Sequence, residues 1–322
     1  MISLKKHKDG KPIALIIDGD EEDGKVYLYE KEKKEYMDKN IDILDFIDDN
    51  MFWDKKARKH VNPVDMGKII KALKLELDYI LEDNLEETFQ KIRKYVERKR
   101  NTEIKLHGES ILQFIPNEKI TSTSRHVIFV VGQGGSGKSF WCASYAKRYL
   151  KMFKKSEVYI FSQKDKDEAY DNIMKECKRM HRVILDETYL EGEERLSFKD
   201  FDNTLLIFDD VQCIEGSIGK EVRLLRKEAL ELGRSHNISV CMTEHIACDG
   251  EATKGLINES THYVFFRGAN HNNTTRLLEK YIGFQDEKEE IPRIFDLPSR
   301  WKLISKEYPK YVMYESGCYI FK

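Results

Sequence analysis

The chain has 322 residues, of which 40% are hydrophobic and 35% charged, and its net charge is −2. That length suits one large or two modest domains, and the near-neutral balance excludes a global field that would draw the whole molecule to nucleic acid. No apolar run approaches the ~18 residues of a membrane span, and the opening MISLKKHKDGKP lacks the apolar stretch of a secretory signal.

PIALIID (12–18) and KVYLYE (25–30) read as two strands joined by GDEEDG. The link lacks the glycine and closing glutamate that a calcium loop needs at fixed positions, so it reads as an acidic hairpin turn. Met66, Ile69, Leu73, Leu77, Ile80, Phe89, Ile92 and Val96 then recur at helical spacing. They predict one long amphipathic helix over 66–98, or two broken near Glu82–Asn84. The stripe reads as the core of a small α+β domain over 1–108, with a subunit contact as the alternative. The end of this segment, KIRKYVERKR (91–100), reads as a solvated helix face, with contact to DNA phosphates as the alternative.

From 109 onward the pattern becomes alternating strand and helix, and a second domain over 109–322 is expected. HVIFVV (126–131) reads as a buried strand, and GQGGSGKS (132–139) fits the phosphate-loop pattern G-x-x-x-x-G-K-[ST] at every fixed position. SFWCASYAKRYL (139–150) follows as a helix with Phe140, Ala143, Ala146 and Leu150 on one face. Glycines let backbone N–H groups wrap phosphates, and the helix N-terminus adds partial positive charge. The candidate nucleotide contacts are Gly132, Gln133, Gly134, Gly135, Ser136, Gly137, Lys138, Ser139 and Phe140. Lys138 is expected on the β- and γ-phosphates and Ser139 on Mg²⁺.

Further strands are predicted at 156–162, 203–210, 238–244 and 262–267, with helices between them, which argues for a parallel sheet covered on both faces. WKLIS (301–305) and YVMYESGCYIF (311–321) read as a strand plus a hairpin turning near Ser316-Gly317. Six cysteines without a C-x-x-C pair read as reduced thiols of a cytosolic compartment. Cys241, His245 and Cys248 match no common zinc spacing.

Hydrolysis of a triphosphate needs a carboxylate to organise Mg²⁺ and a group to orient water. Asp186-Glu187 and Asp209-Asp210 compete for this. LLIFDD (205–210) is the longer apolar run and has a complete helix and strand after it, so Asp209 is assigned to Mg²⁺ and Asp210 to the water. Asp210 stands where a glutamate is usual and is one methylene shorter. VILDE (183–187) is then an added edge strand or a loop over the site. KEVRLLRKEALEL (220–232) reads as a helix stopped by Gly233. Arg234 follows, near the amino end of the next strand. It either reaches a nucleotide on a neighbouring subunit or merely complements the helix dipole. Thr243 and His245 end that strand at the ligand edge, as sensors of the γ-phosphate or as partners in local hydrogen bonds.

The GTPase sequence N-K-x-D is absent, and no D-x-x-G follows 203–210. A small-molecule kinase would need an arginine-bearing lid and an acceptor pocket. Neither is identified, although Glu191–Arg195 could sit in a mobile loop. In order and spacing, GQGGSGKS, SEVYIFS with DEAYD (167–171), NTLLIFDDV (203–211), ELGRSHNISVCMTEH (231–245) and INESTHYVFF (257–266) resemble the genome-packaging ATPases of nucleocytoplasmic large DNA viruses. These are a branch of the FtsK/HerA-type translocases. LQFIPNEKI (112–120) and SRWKLISKEYPKYVMYE (299–315) look similar too. The resemblance covers 109–322. It implies a three-layer α/β P-loop NTPase of the additional-strand, RecA-like type with a mainly parallel sheet. It further implies an ATP- and Mg²⁺-dependent homo-oligomeric ring acting on double-stranded DNA, with capsid proteins as further partners, in the host cytoplasm, the viral factory or the virion. The same resemblance makes Asp209-Asp210 the acidic pair and Arg234 a residue that acts in trans.

Overall fold

The computed structural model describes residues 1–6, 8–29, 53–54, 59–60, 102–190, 195–284 and 290–321. The helix expected over 66–98, its basic end at 91–100 and residues 191–194 of the expected mobile loop lie outside the described residues.

A two-residue strand β1 (Ile2–Ser3) is followed by two eight-residue strands, β2 (Lys11–Asp18) and β3 (Glu21–Leu28). The β2–β3 connection is only Gly19 and Asp20, with Gly19 in the left-handed region, so the expected six-residue acidic turn is mostly strand. Ile16 faces Gly24 while Ile17 faces Glu22, which leaves Asp23 as the extra residue of a bulge. Glu22 is drawn into the fold because Arg148 and Lys151 both donate to its carboxylate. The short pair β4 (Trp53–Asp54) and β5 (Lys59–His60) is antiparallel.

Strands β6 (Glu103–Lys105) and β7 (Ile111–Phe114) bracket residue 108 and go to different sheets. β7 pairs with β2 and completes a four-stranded N-terminal sheet in the order β1-β3-β2-β7. β6 instead joins the edge of the large sheet.

The large sheet begins with β8 (Val127–Val131), and α1 (Lys138–Met152) follows the glycine loop. Then come β9 (Val158–Ser162), α2 (Glu168–Glu176), β10 (Met180–Ile184) and β11 (Leu205–Asp209). The chain continues through α3 (Gly216–Glu231), β12 (Ser239–Glu244), α4 (Gly250–Glu259) and β13 (His262–Phe266). It closes with α5 (His271–Leu277), α6 (Glu290–Asp296), β14 (Trp301–Ser305), β15 (Tyr311–Tyr314) and β16 (Gly317–Ile320). The strand order is β10-β9-β11-β12-β8-β13-β14-β15-β16-β6. The first six are parallel, and the C-terminal strands and β6 are antiparallel. β12 lies between the loop strand β8 and β11, which makes this a P-loop NTPase fold of the additional-strand type. Val183 and Ile184 of VILDE end β10 at the edge of the sheet, and residues 185–187 lie beyond the strand.

All five residues of β8 are buried, and they alternate between two cores. Ile128 and Val130 join Cys142, Ala146 and Tyr149 of α1. Val127, Phe129 and Val131 join Val222, Leu225 and Ala229 of α3 and Ile257 of α4. A strand apolar on both faces therefore sits in the middle layer of three, each such side chain contributing roughly 1.5–3 kcal/mol of burial. The apolar residues of the N-terminal sheet, among them Ile13, Ile16 and Phe114, belong to the α1-side core. Phe140 departs from expectation: it is 60% exposed, while Trp141, Cys142, Tyr145 and Tyr149 are buried. The N-terminal sheet and β11 bury α1 on more than one side, so a single apolar stripe does not describe it. Among the described residues no helix is long and apolar enough to cross a membrane.

Candidate functional site

In an open parallel sheet, ligands bind beyond the carboxyl ends of the strands. Here those ends belong to β8, β9, β11, β12 and β13. The register sets Asp209 beside Thr243, and Thr243 beside Val130.

The glycine loop leaves β8 at Gly132 and enters α1 at Lys138. Gly135 and Gly137 have φ of 74° and 109°, which L side chains rarely adopt. Gly132 is required for a different reason: a Cβ there would stand 2.5 Å from Ser136 Oγ and 3.0 Å from Phe266 Cβ. Gln133, Gly134 and Gly135 are exposed at the tip, and Ser139 is half-buried in the first turn of α1. Lys138 is buried, and its ammonium donates to the carbonyls of Gly132 (2.9 Å) and Gln133 (3.4 Å). It also stands 3.8 Å from Asp210 Oδ1.

Thr243, fully buried, joins the two aspartates. Its hydroxyl donates to Asp209 Oδ1 (2.8 Å) and accepts the Asp210 backbone N–H (2.9 Å). Asp210 meets it because its backbone turns into the left-handed region (φ 52°), which a short polar side chain tolerates. His245 Nε2 lies 3.5 Å from Asp210 Oδ2, so Lys138 and His245 flank that carboxylate. Asp209 is buried, and desolvation pushes its pKa up against the pull of Thr243 and Lys164. Its Oδ2 is buried without a hydrogen-bond partner. A buried carboxylate oxygen of this kind, with the Lys164 ammonium 3.6 Å away, fits a hard divalent cation.

Asp186 and Glu187 stand apart from this group. Asp186 is exposed, and its carboxylate accepts from the Thr188 backbone and hydroxyl. Arg234 lies on the short turn Gly233–His236 before β12, at the opposite edge of the sheet from Asp209. Arg125 shapes that turn. Its guanidinium donates to the carbonyls of Ala229, Leu230 and Ile238, and a Cβ on Gly233 would be 3.0 Å from Arg125 Nη1. Arg234 itself is 65% exposed and 3.9 Å from Glu259.

Three further residues reach the site: Lys164 lies in no recognisable motif, while Glu244 and Arg300 fall within the segments 231–245 and 299–315 at positions whose roles the sequence does not reveal. Lys164, after β9, reaches Asp209 Oδ2 and Asp167 Oδ2, both at 3.6 Å. Burial works against its ammonium, but Asp209, Asp167 and Asp210 outweigh that and hold its pKa above the ordinary value. Glu244 is buried beside the loop, its carbonyl accepting the Gly132 N–H, and pairs with buried Arg226 at 2.8 Å. Burial pushes its carboxyl up to about 7 despite the arginine. Arg300 is exposed, and its Nη2 stands 3.3 Å from where a Cβ of Gly137 would be.

At the amino edge, His126, His262 and Glu307 bring one ligand atom each within 4.8 Å. Their polar atoms are engaged by Tyr145, Thr261 and Lys11 respectively. Burial pushes the pKa of His262 down to about 3 and that of His126 well below its ordinary value, so both rings are neutral. This is a satisfied polar cluster that ties Lys11 of the N-terminal sheet to the large sheet.

No family model matches the chain. It is 32% identical over 196 residues to protein V3 of the Sputnik virophage, covering 60% of this chain and 76% of V3. The genome-packaging NTPase B204 of Sulfolobus turreted icosahedral virus 2, solved with AMPPCP, is 17% identical over 56% of this chain and 93% of that one, with a TM-score of 0.38. The pCW3 conjugation coupling protein TcpA, solved with ATPγS, is 13% identical over 67% and 66%, with a TM-score of 0.42. By the extent and identity of the match to V3, the chain belongs to the family of that virophage protein.

Proposed function

We propose that this protein is an ATPase that moves double-stranded DNA, working as a homo-oligomeric ring in genome packaging. The observation that carries the ATPase reading is the convergence of Lys138, Asp210, Thr243 and Asp209 at the carboxyl edge of the sheet. The motif resemblance over 109–322 supports DNA as the substrate moved, and capsid proteins as further partners.

In this reading the loop backbone from Gly132 to Gly137 and the Lys138 ammonium bind the triphosphate. Ser139 and Asp209 would hold Mg²⁺, which when bound neutralises phosphate charge. Asp210 accepts the proton of the attacking water, with Lys138 and His245 flanking its carboxylate at 3.8 and 3.5 Å. Thr243 holds the two carboxylates in register, so that a change at one is felt at the other. Arg234, on the far edge, completes the site of the neighbouring subunit.

The test is ATP-dependent displacement of a triplex-forming strand from duplex DNA. Displacement that is lost in Lys138→Ala supports translocation. ATP hydrolysis without displacement restricts the function to an NTPase that does not move DNA, either a P-loop kinase or a DNA-dependent NTPase outside packaging.

A further inference from the structure

A cavity of about 570 Å³ lies between the N-terminal sheet and α1, and it opens at the phosphate loop. That volume falls in the ordinary range of small-molecule sites, which are mostly apolar with a few polar groups. Its floor is aromatic: Phe140, Trp141, Phe266 and Trp301 line it, and the two tryptophan rings meet edge to face at 6.2 Å. Gly137 and Arg300 stand where the cavity meets the loop. The far wall comes from the N-terminal sheet, from Ile17 and Asp20 near the β2–β3 turn, more than a hundred residues upstream, and from Ile111 of β7.

The wall is held in place. Arg148 of α1 donates to Glu22 (2.8 Å) and to Gln113 (3.1 Å). Hydrogen bonds from Lys151 and Arg148 hold the Glu22 carboxyl down at about 2, so the clip stays charged at neutral pH. Phe140 is the residue after the phosphate-loop serine; it lines this cavity and is 60% exposed. An exposed phenylalanine beside tryptophans offers a flat base a stacking face.

We infer that this cavity takes the nucleobase of the triphosphate whose phosphates lie on the loop, and that the N-terminal sheet forms half of the base site. This rests on the nucleotide reading of the loop. It gives the N-terminal sheet a direct function: base occupancy bridges it to α1.

Compare binding of ATP and of inorganic tripolyphosphate, each with Mg²⁺, to the full chain and to Phe140→Ala and Ile111→Ser. Both residues are surface-exposed, so folding should survive, and circular dichroism checks this. Stacking on one aromatic is worth roughly a 5- to 160-fold change in affinity. The expected result is ATP binding weakened by about tenfold or more in Phe140→Ala and measurably in Ile111→Ser, with tripolyphosphate unchanged. ATP should also change the emission of Trp141 and Trp301 where tripolyphosphate does not. Equal effects on both ligands, or ATP affinity unaltered in both variants, would overturn the base site. Failure of the wild-type chain to bind either ligand would overturn the nucleotide reading, and the base site with it.

Discussion

Thr243 Oγ1 donates to Asp209 Oδ1 at 2.8 Å and, through the same oxygen, accepts the backbone N–H of Asp210 at 2.9 Å. One buried hydroxyl thus fixes the carboxylate assigned to Mg²⁺ and the backbone of the carboxylate assigned to water. Thr243→Val keeps the shape and removes both bonds. Leaving a buried donor and acceptor unpaired should cost about 1–3 kcal/mol of stability. Denaturant unfolding measures that, and turnover should fall further than ATP affinity. Thr243→Ser should restore both.

Lys138→Ala removes the ammonium that sits between Gly132 O and Asp210. The expected outcome is ATP affinity lower by roughly 10- to 100-fold, the worth of a charged hydrogen bond, with turnover lost. Titration calorimetry checks the first and phosphate release the second. Undiminished affinity would place the triphosphate elsewhere.

Arg234 is exposed and on the far edge from Asp209, so Arg234→Ala should fold and bind ATP yet fail to hydrolyse it. Asp209→Ala should fail for the opposite reason. Mixed in equal amounts, about a quarter of the head-to-tail interfaces should draw both intact halves and regain turnover. Absence of recovery at any ratio counts against action in trans.

Glu244 and Arg226 form a buried pair in which burial outweighs attraction, pushing the carboxyl up to about 7 and the guanidinium down. A carboxyl raised above its ordinary value of 4.5 contributes stability fully below that pH and loses it as pH rises through the folded value. Unfolding midpoints should therefore decline as pH rises from 4.5 to beyond 7, and Glu244→Gln should flatten the slope. An unchanged slope in the variant would assign it to other groups.

The parts of the fold set by local pattern were legible in the sequence. WKLIS is β14 residue for residue, and the buried runs at 127–131 and 205–209 are central strands because only a strand apolar on both faces fits there. What could not be read depends on distant partners. Phe140 lies at helical spacing with buried residues, yet the cavity beside the N-terminal sheet leaves it exposed. The acidic link after β2 looks like a turn, but Arg148 and Lys151, over a hundred residues away, draw Glu22 into strand. Lys164 belongs to no motif, Glu244 and Arg300 lie in segments whose pattern does not mark them, and only the strand order brings the three to the site. β6 and β7 are too short to reveal that they pair with different sheets.

The claim that this site hydrolyses ATP in order to move DNA is tested most directly by ATP turnover measured with and without duplex DNA at modest salt. The expected result is turnover that rises severalfold with DNA and is abolished by Lys138→Ala. No hydrolysis under either condition, or hydrolysis indifferent to DNA and accompanied by phosphate transfer to an acceptor, would contradict it.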